Sequence, residues 1–154
     1  MEEASSAVLT LTRTLVGVVA RSLPEAAEVT LPQWRALALI EAGGVLSAGA
    51  LAAQLGVSGS TCTRLCDRLV AKGLVNRGVG DESRREVALR LTEEGRALVV
   101  SATARRRAEI AEWIGKLTPR QQAALASALR PLLAIAVHGG DDAWQLGWTE
   151  GDRP

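Results

Sequence analysis

Residues 47–73 read SAGALAAQLGVSGSTCTRLCDRLVAKG. Two short helical patterns meet there at Gly56-Val57-Ser58. Ser47 is placed to cap a helix through Leu55, and Gly56 to end it. Ser58 is placed to cap a second helix running to about Lys72, with Gly73 as its terminator. Two helices on a tight glycine-containing turn predict a helix-turn-helix. On the second helix, Cys62, Leu65, Cys66 and Leu69 recur at steps of three and four and share one face. Ser60, Arg64, Asp67 and Ala71 fall opposite, with Thr63 and Arg68 on the flanks. The wet face near its start is thus small and hydroxylated, with one guanidinium. Small side chains let a helix backbone approach a groove floor. Hydroxyls and a helix N-terminus suit phosphates, and the Arg64 fork matches guanine O6 and N7.

Downstream, Leu74–Val79 and Glu86–Leu91 alternate apolar and polar residues around the polar tip Gly80-Asp81-Glu82-Ser83-Arg84, as two strands of a hairpin do. Arg84 and Arg85 make that tip thin and basic, which a narrow, electronegative minor groove requires. Thr92 then caps a long helix to about Lys116, with Glu93 and Glu94 at its positive end. Upstream, Thr30 and Gln33 form a capping box with Pro32 in the first turn, and the helix they open carries Trp34, Leu37, Ala38 and Ile40 as far as Gly43-Gly44. Val8, Leu11, Leu15, Val18 and Val19 mark a first helix that Pro24 helps to end. Thr118-Pro119-Arg120-Gln121 opens a last helix to about Val137, which Pro131 should kink or break. The stretch 139–154 is polar and acidic apart from Trp144, Leu146 and Trp148.

These elements predict a mainly α protein with a small β-hairpin wing, in one domain over 154 residues. Hydrophobic residues make up 47% and charged residues 23%, so the chain can bury a core. With a net charge of +1, any nucleic-acid site must be a local patch. From Leu46 to Leu91 there are seven basic residues (Arg64, Arg68, Lys72, Arg77, Arg84, Arg85 and Arg90) against the acidic Asp67, Asp81, Glu82 and Glu86. No secretory signal is visible and no run reaches the ~18 apolar residues of a membrane span, so a cytoplasmic protein is expected.

In order and spacing, residues 31–98 resemble the multiple-antibiotic-resistance regulator (MarR) family. The resemblance rests on Leu51-Ala52-x-x-Leu55-Gly56-Val57-Ser58, on Asp67-Arg68-Leu69-Val70-x-Lys72-Gly73-Leu74-Val75, on Asp81-x-x-Arg84-Arg85 and on Leu91-Thr92-x-x-Gly95. Gly59 stands where that family commonly has proline, and Cys62 and Cys66 where it commonly has branched aliphatics. The resemblance implies a winged helix-turn-helix over 30–91, with dimerisation helices in 1–29 and 92–138. It implies a homodimer on double-stranded DNA, with Ser58, Ser60, Thr61, Thr63 and Arg64 at contact positions and Arg84 at the wing tip. Asp67 would pair with a wing arginine, by expectation Arg85. A small-molecule effector would sit between lobe and dimerisation helices, where Trp34 could line its pocket.

Other chemistries find little support. His138 is the sole histidine and no nucleophile elbow accompanies it, so no enzyme is expected. Gly78-Val79-Gly80 lies in a hairpin rather than after a strand, and no cofactor signature exists. Cys62 and Cys66, with a distant His138, do not assemble four zinc ligands. Lying on the apolar face, both thiols read as small hydrophobes more readily than as a redox pair. Arg105-Arg106-Arg107 reads as a solvated face or salt-bridge set. A winged helix used only for protein–protein contact stays open as the alternative.

Overall fold

The computed structural model describes residues 1–79 and 87–138. Its elements are α1 (Glu2–Ser22), a single 3-10 turn (Glu25–Ala27), α2 (Leu31–Gly43), β1 (Leu46–Ser47), α3 (Ala48–Leu55), α4 (Gly59–Ala71), β2 (Val75–Val79), β3 (Val87–Leu91), α5 (Glu93–Gly115) and α6 (Pro119–His138). The fold is mostly helical, with one antiparallel sheet in the order β1-β3-β2. Val75 pairs with Leu91 and Val79 with Val87, and the two-residue β1 adds itself through Leu46 opposite Leu89.

The helix starts follow from side-chain caps. Thr30 accepts from the Gln33 amide while the Gln33 side chain accepts from the Thr30 amide, closing the capping box. Ser47, Ser58 and Thr92 each accept an amide of the first turn of α3, α4 and α5. Gly56 ends α3 at φ +68, a left-handed conformation that a Cβ would strain. α6 does not break at Pro131. Proline removes one backbone bond there, and the Leu132-Leu133-Ala134 that follows carries the helix on.

Trp34, Leu37 and Ile40 of α2, Leu51 of α3, Cys62, Cys66 and Leu69 of α4, Val75 of β2 and Leu89 of β3 are fully buried in one cluster. Each apolar side chain sealed there stabilises the lobe by about 1.5–3 kcal/mol. Leu98, Val99 and Ala102 of α5 close the same cluster. The start of α5 is tied to the root of the hairpin. Thr92 Oγ1 donates to the Gly73 carbonyl at 2.7 Å, and the Thr92 amide to Leu74 O at 3.1 Å. Gly95 lies so close to Leu74 that a Cβ on it would run into the Leu74 carbonyl oxygen. The end of α4, the hairpin and the start of α5 are therefore held as one piece. No helix among the described residues is long and apolar enough to cross a membrane.

Candidate nucleic-acid interface

Helix α4 is built as two faces. Cys62 and Cys66 lie at 1% and 0% exposure, whereas Ser58, Ser60, Thr61, Thr63, Arg64, Asp67 and Arg68 are all exposed. The thiols are 3.9 Å apart, and Cys62 Sγ donates to the Ala48 carbonyl at 3.6 Å, packing α4 onto the start of α3. Burial pushes the Cys66 thiol up to about 12, with neighbouring Cys62 adding to the effect. That thiol is protonated at neutral pH and a poor nucleophile, as a packing cysteine should be.

At the start of α4 the hydroxyls form one small cluster. Ser58 Oγ accepts the Thr61 amide at 3.3 Å and donates to Thr61 Oγ1 at 3.0 Å, while Ser60 Oγ lies 3.1 Å away. Thr63 Oγ1 donates to the Gly59 carbonyl at 2.9 Å. Capping and self-pairing thus pre-orient these hydroxyls around the positive end of a helix whose first amides point outward. Arg64 stands one turn further along, and no carboxylate among the described residues pairs with it or with Arg68.

Asp67, beside Arg64, pairs with Arg77: Nη2 to Oδ1 is 2.9 Å. Arg77 sits on β2, so the ion pair ties that strand to α4. The partner expected for Asp67 was Arg85, which together with Arg84 and the rest of the hairpin tip lies outside the described residues. Arg77 carried a readable signal. In a strand of period two it shares a face with Val75, the face turned to the core and to α4.

Trp34 is 1% exposed. The guanidinium of Arg106 lies over its ring, 4.8 Å from the centroid. The expectation of a solvated Arg105-Arg106-Arg107 face fails at Arg106, which is 9% exposed. Its position on α5 turns it toward α2, and the Trp34 ring face offers a desolvated cation the attraction that water otherwise would. Burial lowers its pKa from the usual arginine value. Arg106 Nη2 donates to Thr103 Oγ1 at 3.0 Å, while Arg106 Nε and Trp34 Nε1 are buried with no hydrogen-bond partner among the described residues. Trp34 lines neither the groove along α1 (Glu3, Ser6, Ala7, Thr10, Leu11 and Thr14) nor the cavity of about 220 Å³ between Ala20, Leu23, Pro24 and Val29.

A second arginine escaped sequence reasoning altogether. Arg35 of α2 reaches the end of α3, donating from Nη2 to Gln54 O at 3.0 Å and from Nη1 to Leu55 O at 3.3 Å. No local pattern signals a contact that spans some twenty residues of chain.

Comparison with known proteins bears on this geometry. The MarR family profile matches residues 27–86. The crystal structure of RV1404 from Mycobacterium tuberculosis is similar over 91% of this chain and 94% of that one, at 35% identity and a TM-score of 0.80. An HTH-type transcriptional regulator of Bacillus subtilis, YfiV, is 28% identical over 102 residues, which are 66% of this chain. The chain spans 64% of the length of that relative, a little under two thirds. The fold is also that of a MepR variant from S. aureus bound to an oligodeoxyribonucleotide, at 21% identity, a TM-score of 0.67, and coverage of 86% of this chain and 97% of that one.

Proposed function

The chain belongs to the MarR family, and from that premise we propose that it is a DNA-binding transcription regulator, a repressor that acts as a homodimer in the cytoplasm. The observation that carries this reading is the wet face of α4, hydroxylated at its N-terminus and bearing one turn on an Arg64 that no carboxylate among the described residues pairs with, backed by thiols that anchor the helix from behind. Ser58, Ser60, Thr61 and Thr63 meet backbone phosphates, and Arg64 reads a base edge in the major groove. Arg84 and Arg85 carry the wing into the flanking minor groove. Asp67, through Arg77, holds the wing strand against the reading helix. RV1404, matching over nearly its whole length, and the oligonucleotide-bound MepR variant of the same fold support this reading.

The lobe over 30–91 does the reading, and the helices of 1–29 and 92–138 join two copies. Leu9 and Val16 of α1 and Leu132, Leu133 and Ile135 of α6 are apolar and exposed in the single chain, a pattern that marks an association surface. Two copies place their α4 helices in half-sites about one helical turn, ~34–36 Å, apart on a pseudo-palindrome. A small molecule bound between the lobe and the dimerisation helices releases the DNA. For nearly complete release it must favour the non-binding arrangement by about 5.5 kcal/mol.

The test is binding to the DNA upstream of the protein's own gene, measured for the parent and for Arg64→Ala. The substitution should cost roughly 1–3 kcal/mol and relax preference at one base position. Unchanged affinity and footprint would remove Arg64 from the interface, and a parent that ignores every duplex would favour protein–protein contact instead.

A further inference from the structure

The last four carbonyls of an α-helix have no partner within the helix. In α3 these belong to Ala52, Ala53, Gln54 and Leu55. The backbone satisfies the first two, since the Gly56 amide donates to Ala53 O at 3.1 Å and the Val57 amide to Ala52 O at 3.1 Å. The other two are held by the Arg35 guanidinium and nothing in the turn itself. Ser58, the cap of α4, follows two residues after Gly56. The backbone between the two helices therefore has no slack, and one side chain from α2 closes it.

We propose that Arg35 is a positioning residue for DNA binding: by gripping Gln54 O and Leu55 O it fixes the end of α3 and thereby the direction in which α4 leaves the turn. Three features make the grip suited to this. The fork donates two bonds at a fixed spacing, which an ammonium cannot do. Its positive charge faces the negative end of the α3 dipole. Its root is secure, because the neighbouring Trp34 is sealed in the core under Arg106 of α5. The position of α5 thus reaches the turn through two adjacent residues of α2.

The proposal rests on the reading of α4 as the DNA-contacting helix, so its test has an arm that needs no DNA. Amide hydrogen exchange is followed in the full-length parent, in Arg35→Met and in Arg35→Lys, with thermal melting to verify that each variant is folded. Losing two charge-assisted bonds at the end of α3 should speed exchange at Gly56 and Val57 roughly tenfold in Arg35→Met, and by less in Arg35→Lys, which keeps one bond. Amides in the middle of α5 should exchange as in the parent. In the second arm, affinity for the upstream operator should fall about tenfold in Arg35→Met while the slope of log affinity against log salt stays the same, because no phosphate contact is lost. Unchanged exchange at Gly56 and Val57 overturns the cap. A salt slope smaller by about one unit overturns the positioning role in favour of a direct phosphate contact. Faster exchange with unchanged operator affinity overturns it too. Should the parent bind no duplex at all, the regulator reading falls, and the exchange arm still decides whether Arg35 closes the turn.

Discussion

Helices α2 and α6 open on the same local chemistry. Thr30 with Gln33 and Thr118 with Gln121 are reciprocal caps, and a proline stands in the first turn of each. Beyond that start they part. α2 buries Trp34, Ala36, Leu37, Ala38, Leu39 and Ile40 within its own chain. α6 leaves Leu132 at 42%, Leu133 at 40% and Ile135 at 72% exposure. Capping decides where a helix begins, because it depends on residues three positions apart. Burial depends on what the remainder of the assembly brings to the helix. For α2 that is the sheet and the neighbouring helices; for α6 it is the second copy of the proposed dimer.

The sharpest test pairs Leu37→Ala with Leu133→Ala. The first empties a fully buried site and should destabilise by about 2–5 kcal/mol at any protein concentration. The second removes a half-exposed side chain and should cost under about 1 kcal/mol in the separated chain, with a further loss that depends on protein concentration if α6 packs against another copy. Urea unfolding at two concentrations a hundredfold apart reads both. A concentration-independent loss for Leu133→Ala, as large as that for Leu37→Ala, would break the contrast between the two helices.

Next in size are the caps. Thr30→Ala and Thr118→Ala should each cost about 0.5–2 kcal/mol in the same unfolding experiment, and by similar amounts, since each removes the hydroxyl that accepts the Gln amide three residues on. If only the Thr30 substitution registers, the start of α6 contributes nothing to cooperative unfolding, and the same local chemistry matters only where the rest of the helix is buried.

The same division explains what the sequence made visible. Caps at Thr30, Ser47, Ser58, Thr92 and Thr118, and the glycine stop at Gly56, are written within a few residues of where they act, and every helix start in the lobe was readable from them. The two faces of α4 followed from 3.6-residue periodicity. What escaped depends on distant chain. β1 is two residues long and exists because Leu46 meets Leu89. Arg106 lies in a run that looks solvated until α5 is laid against α2 and Trp34 covers it. Arg35 finds its carbonyls only after α2 and α3 have packed. At Pro131 a local rule pointed to a kink or break, and the break does not occur because the flanking helix formers continue the helix. Within the candidate interface, Ser58 through Arg64 were legible because one helix carries them all. The Asp67–Arg77 pair was open to the same kind of reading, since strand period two puts Arg77 on the face of Val75, whereas the expected partner Arg85 lies outside the described residues.

That ion pair supplies the smallest expected effect and a finer version of the same contrast. Asp67 and Arg77 are 2.9 Å apart, but their side chains are 55% and 34% exposed. Water screens such a pair, and ordering two long side chains offsets much of the attraction, so Arg77→Ala should change unfolding stability by only about 0–1 kcal/mol. On the opposite face of the same helix, Cys62 and Cys66 are sealed and their replacement belongs to the costly class. The pair ties β2 to α4, so under the proposed function it should act on direction more than on stability. Raising the salt from 0.1 to 1 M should erase the stability difference between the parent and Arg77→Ala, because the screening length shrinks from about 10 to about 3 Å. A loss of several kcal/mol that persists in high salt would mean that exposure is a poor guide on this face, and the distinction drawn between α2 and α6 would lose its general force.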